Sequence, residues 1–176
     1  MNTPDRPDRV EHRMERTYDL AASPEEVWEA IATADGISSW MVPTRLEPRV
    51  GGEVSFDLGG LTTTGVVTEY TPNERFAYEE PWPVGDRPED LSPEMAQWFE
   101  TIGVPLSEVY EGLEQVTPIA TEFLIEAASG GTCVVRVITS AYGSGADWEN
   151  EFFDQMALDL VPILDNLTTR FPVAAR

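Results

Sequence analysis

Catalysis needs nucleophiles, bases or metal ligands, and this sequence is poor in all three. It has one histidine, His12, and one cysteine, Cys133. A single cysteine forms no internal disulfide and no cysteine-based zinc site, and a single histidine excludes two-histidine metal motifs. Ser144 stands between Gly143 and Gly145, a superficial likeness to a nucleophile elbow. That motif requires Gly-x-Ser-x-Gly and a histidine base, whereas His12 lies next to a polar segment that reads as a frayed terminus. All eleven basic residues are arginine, so Schiff-base chemistry and a P-loop lysine are excluded. Glu79 and Glu80 are adjacent, face opposite sides of a strand, and cannot act as a carboxylate dyad. Asp147, Glu149 and Glu151 cluster at a helix start, where the macrodipole favours negative charge; a calcium site would need more ligands in a defined loop. No catalytic residue, metal or cofactor is expected.

Charge narrows the partners. The 176 residues carry a formal charge of −21, which argues against nucleic acid and against an anionic membrane surface. No apolar run is long enough to span a bilayer, and the N-terminus lacks a signal-peptide core. The expectation is a cytoplasmic protein with one domain over residues 12–171, flanked by a mobile tail at 1–11 and a short tail at 172–176.

Elements follow from period and punctuation. Met14, Arg16, Tyr18 and Leu20 share one face of a first strand. Ser23-Pro24-Glu25-Glu26 is a capping-box helix start, with Val27, Trp28 and Ile31 behind it. A short helical turn follows through Ile37 to Trp40. Val54, Phe56 and Leu58 alternate with polar residues, Gly59-Gly60 turns the chain, and strands over 61–70 and around Phe76 and Tyr78 complete an antiparallel meander. Between Pro81 and Pro118 six prolines interrupt the pattern. There Ser92-Pro93 starts a helix through Met95, Trp98, Phe99 and Ile102, and Leu106, Val109, Tyr110 and Leu113 repeat its spacing. Strands resume at Phe123 and Ile125 and again over 132–140. A last helix, with Asp147 as its expected cap, carries Trp148, Phe152, Met156, Leu160, Ile163 and Leu167, with a kink at Pro162.

Such an order predicts an α+β helix-grip fold: a curved antiparallel sheet wrapped around a long C-terminal helix, with a mostly helical insertion between strands. The segment Ser23-Pro24-Glu25-Glu26-Val27-Trp28-Glu29-Ala30-Ile31, Trp40, Gly51-Gly52, Gly65…Glu69…Pro72…Arg75-Phe76, Gly130-Gly131-Thr132 and Gly145 through Trp148 resemble the START/Bet v 1-like (SRPBCC) superfamily, in its branch of activator of Hsp90 ATPase homologues. The resemblance covers about residues 13–171, excepting most of 81–118. It implies a cavity for hydrophobic or amphipathic molecules, in a superfamily that includes lipid binders, polyketide cyclases and a co-chaperone domain.

Expected ligand-binding positions are Val54, Phe56, Phe76, Tyr78, Phe123, Ile125, Phe152, Met156 and Ile163; each alone also reads as ordinary core. Tyr78 offers a polar handle. Glu80 shares its parity and reaches the cavity mouth or a solvated rim, and Arg136 is either an inward anion anchor or a solvated arginine. Trp82, Trp98, Phe99 and Tyr110 of the insertion must bury apolar surface as a lid, as a homodimer or partner interface, or as extra packing. The leading expectation is binding of an apolar small molecule. A co-chaperone-like interaction module and a cyclase-like or aromatase-like enzyme are the alternatives.

Overall fold

The computed structural model describes residues 9–175. Seven antiparallel strands form one sheet: β1 (Val10–Leu20), β2 (Thr44–Leu46), β3 (Glu53–Asp57), β4 (Thr62–Thr71), β5 (Arg75–Glu80), β6 (Ile119–Ala128) and β7 (Thr132–Gly143). Their spatial order is β1-β7-β6-β5-β4-β3-β2. Consecutive strands from β2 to β7 are neighbours, and β1 closes the far edge against β7 over its whole length. Residues 1–8 of the expected N-terminal tail and Arg176 of the C-terminal one lie outside the described residues. Within that tail Pro172 and Ala174 hydrogen-bond the backbone of Ala21 and Asp19.

Helices gather on the inner face. Ser23 caps α1 (Pro24–Ile31), with Glu26 reaching back to the Ser23 N–H, as its sequence predicts. Trp28 meets Tyr70 and Phe76 edge-on, fastening α1 to β4 and β5. The indole of Trp40, just beyond α2 (Ala34–Ser38), donates to the Ala30 carbonyl. Two further helices, α3 (Pro93–Ile102) and α4 (Leu106–Gly112), make up the insertion. The long α5 (Asp147–Leu164) contains Pro162 without breaking there. It ends at Leu164 rather than continuing through Leu167, which opens a separate turn, α6 (Leu167–Arg170). At that break Asp165 accepts from Tyr18 of β1 at 2.8 Å and from Arg16 at 3.3 Å.

Two apolar clusters fill the space beneath the sheet. One joins α1, α2 and the inner faces of β3–β7 to Leu164 and Leu167. The other joins the insertion to the first half of α5 through Trp82, Val84, Phe99, Val109, Trp148, Phe152 and Phe153. Helix α5 runs from the second cluster to the first, and Met14 of β1 touches both.

Three expectations need correction. The expected tail over 1–11 runs too far: the strand begins at Val10, and its period turns His12 inward to 7% exposure between Trp82 and Phe153. Asp147 does not cap α5. Glu149, wholly buried, reaches back instead and accepts from the N–H groups of Ser144, Gly145 and Ala146 at 2.9, 2.6 and 2.9 Å. Gly143 makes room for it, since a Cβ there would lie 2.1 Å from a carboxylate oxygen. Of the two alternatives for Arg136 the solvated one holds and the inward anchor fails, because Val135 and Val137 occupy the inner positions of β7; it faces Glu15 at 3.7 Å on the exposed side. Glu149→Ala, which leaves three part-buried donors without their acceptor, should cost about 2 kcal/mol or more in urea unfolding. A loss under about 1 kcal/mol would show that the loop holds its shape without the carboxylate.

Candidate functional site

A proline pair opens the site. β5 pairs with β4 and β6 as far as Glu80, and Pro81-Trp82-Pro83 follows. Proline has no N–H to donate and is confined to sheet edges, so the strand leaves the sheet here. Its neighbours do not leave. β4 starts at Thr62 and pairs with β3 from there. Ahead of β6 the chain still lies against β7: Thr117 N donates to Tyr142 O, and Tyr142 N donates to the Thr117 hydroxyl, both at 2.8 Å. Between these two segments lies a cleft of about 570 Å³.

Its lining comes from separate stretches of chain: Leu61 to Thr64, Pro81 to Pro83, Gly85, Asp86, Asp90 and Ser92, Leu113, and Val116 to Pro118. The ring of Trp82 packs against Trp148 and Phe152 and its indole donates to the Thr117 carbonyl at 2.8 Å, so it forms a fixed apolar floor. Tyr110 donates to the Val84 carbonyl at 2.6 Å and holds the insertion down on the far side.

Glu80 ends β5 just ahead of Pro81 and does not itself line the cleft. Its side chain folds over Gly65, where a Cβ would come within 2.8 Å of it, and Thr63 of the cleft wall partly offsets the effect of its burial. Burial pushes its carboxyl above the ordinary glutamate value. Beside it on the same face, burial and then the Glu80 charge drive the Tyr78 hydroxyl well above its usual range. Tyr78 lies opposite Thr121 on β6, and Thr121 pairs with Thr139 at 3.2 Å. These hydroxyls cross the sheet between the two apolar clusters, and the Thr121 and Thr139 side chains belong to neither.

The expected ligand positions fall elsewhere. Val54, Phe56, Phe76, Tyr78, Phe123 and Ile125 pack together in the first cluster, Phe152 lies in the second, and Met156 borders it. Ile163 is half-buried and joins neither. None of these nine lines the cleft. Of the four insertion aromatics only Trp82 does so, while Phe99 is buried in the second cluster and Trp98 and Tyr110 pack against it. The threonine run Thr62-Thr63-Thr64 carried no signal beyond strand propensity; the prolines closing β5 were the available clue. Among the described residues no group of three or more histidine, cysteine, aspartate or glutamate side chains could hold a metal ion. No helix among them is long and apolar enough to cross a membrane.

One open, curved antiparallel sheet with helices on its inner face and a long C-terminal helix across it defines a helix-grip domain of the SRPBCC superfamily. The chain belongs to the family of activator of Hsp90 ATPase homolog 1-like proteins, whose profile matches residues 21–157. Solved structures share the fold. A protein of Mesorhizobium loti superposes with a TM-score of 0.62 at 12% identity, over 90% of this chain and 95% of that one. An Hsp90 activator from Plasmodium falciparum gives 0.60 at 13% identity, over 92% and 99%. CalU16 from Micromonospora echinospora gives 0.53 at 14%, over 92% and 83%. Identities this low establish the fold alone. The sequence matches no curated protein.

Glu80 yields a test with a definite sign. In the unfolded chain its carboxyl ionises near pH 4.3, and in the fold it holds its proton to higher pH. The fold is therefore penalised as pH rises above about 4.3, and the penalty is absent below it. Glu80→Gln should raise Tm at pH 7, by about 2–4 °C for each kcal/mol relieved, and the gain should vanish at pH 4. An equal Tm at pH 7 would contradict the assignment.

Proposed function

We propose that the chain is a binding domain for an amphipathic small molecule, held in the cleft at the end of β5 and not chemically changed there. One observation carries this reading: a concavity of about 570 Å³ with an apolar floor and a few hydroxyls on its walls. Small-molecule sites have volumes of this order and this mixture of lining. The apolar part of the ligand lies on Trp82, Leu113 and Val116. The hydroxyls of Thr63, Ser92 and Thr117 orient its polar end. Each Å² of apolar ligand surface removed from water contributes about 25 cal/mol, before the cost of ordering the ligand.

Charge favours a second reading, an interaction module of the kind the Plasmodium activator represents. A chain at −21 attracts a basic surface, and such an association weakens as salt rises.

Thermal-shift measurements with medium-chain fatty acids, a sterol and planar aromatic acids separate the two. At a hundredfold excess over Kd a ligand stabilises by about 2.7 kcal/mol, which should raise Tm by about 5–10 °C for a domain of this size. Val116→Trp, which fills the cleft from its wall, should abolish the shift. No shift with any of these compounds, together with salt-sensitive binding of a basic protein that Val116→Trp leaves unaltered, would favour the second reading.

A further inference from the structure

The pairing of β3 with β4 fixes which backbone groups face the cleft. Leu58 N donates to Leu61 O across the Gly59-Gly60 turn, and Asp57 N points away from β4 to Pro43 O. In an antiparallel ladder successive residues turn their N–H and C=O groups to opposite sides. Thr63, opposite Phe56, and Gly65, opposite Val54, therefore bond β3. Thr62, Thr64 and Val66 face the side where β5 runs. Val66 finds Glu79 there. Thr62 and Thr64 lie beyond the end of β5, and among the described residues neither has a backbone partner on that side.

The width of the gap suits one strand. Neighbouring strands lie about 4.8 Å apart, so β4 and β6, with β5 between them, are separated by about 9–10 Å. Where β5 departs, that separation remains between Thr62–Thr64 and Val116–Pro118 with Trp82 beneath. A slot of three residues is about 10 Å long. Asp86 and Asp90 stand on its rim, Asp90 in an exposed pair with Arg87 at 3.4 Å, within a strongly acidic molecule.

We infer that the ligand of this cleft is peptidic: an extended segment that adds to β4 as the strand β5 stops short of supplying, with a basic side chain toward Asp86 and Asp90. This rests on the reading of the cleft as the binding site and goes beyond it by naming the ligand chemistry. Main-chain bonds to Thr62 and Thr64 give the affinity, in the manner of strand addition at other exposed sheet edges. Charge at the rim selects the sequence and makes binding salt-dependent.

The test uses a fluorescent capped pentapeptide, Val-Arg-Val-Arg-Val, titrated by anisotropy at low salt. Two further peptides carry N-methyl groups on the even or on the odd amides, one set of which must face β4. Saturable binding is expected, with a loss of tenfold or more for at least one methylated form and for Thr64→Pro. The N–H that this variant removes is turned away from β3, and an unchanged circular dichroism spectrum checks that the proline ring leaves the fold intact. If it does not fold, the methylated peptides decide the matter on the natural protein. Absence of saturable binding, undiminished binding of both methylated forms, or full affinity in a folded Thr64→Pro would each overturn strand addition. If one of these outcomes is met while a fatty acid or aromatic acid binds the natural protein but not Val116→Trp, the cleft reading stands and strand addition fails.

Discussion

The architecture turns on the inability of Pro81 and Pro83 to continue a strand. β5 is central in the sheet, with β4 and β6 hydrogen-bonded on its two sides. A central strand that stops early leaves an interior gap, whereas an edge strand that stops early only shortens the sheet. The chain released at that point becomes the insertion, and its first apolar residue, Trp82, turns under the sheet. The cleft, its floor and the insertion thus share one local cause, a backbone that lacks two donors.

That departure also divides the interior. Phe76 and Tyr78, ahead of the prolines, pack with Phe56 and Phe123, while Trp82 and Val84, behind them, pack with Trp148 and Phe152. The boundary is spanned by the hydroxyls of Tyr78, Thr121 and Thr139 and by the pliable side chain of Met14. Helix α5 bridges both halves and is anchored at each end by a carboxylate. Glu149 gathers three backbone amides at its start, and Asp165 takes the Tyr18 hydroxyl at its close. Packing in the second half follows from the first anchor, because Trp148, Phe152 and Phe153 lie within two turns of it.

Much of the fold was legible because it is written in local patterns. The capping box at Ser23, the N-cap at Ser92, the turn at Gly59-Gly60 and the alternation through Phe76 and Tyr78 each specify one element within a few residues. The site was not legible, since its lining is drawn from stretches as distant as Thr63 and Thr117 and depends on what a neighbouring strand fails to do. The same limit explains the particular errors. Alternation along Val10, His12 and Met14 was masked by the charged residues between them, so the start of the strand read as the end of a tail. Glu149 stood among other acids with no mark to distinguish it, and only its place three residues beyond Ala146, after two glycines, hinted at the nest it fills. Arg136 lay in a strand apolar on both faces, where period alone gives no direction.

Residue-resolved amide hydrogen exchange on the free protein tests the interrupted-strand account most directly. It predicts that Thr63 and Gly65, bonded to β3, exchange slowly, while Thr62 and Thr64 exchange at rates close to those of an open chain. Equal protection of all four amides would show that the edge of β4 is already covered, and would contradict an open slot in the sheet.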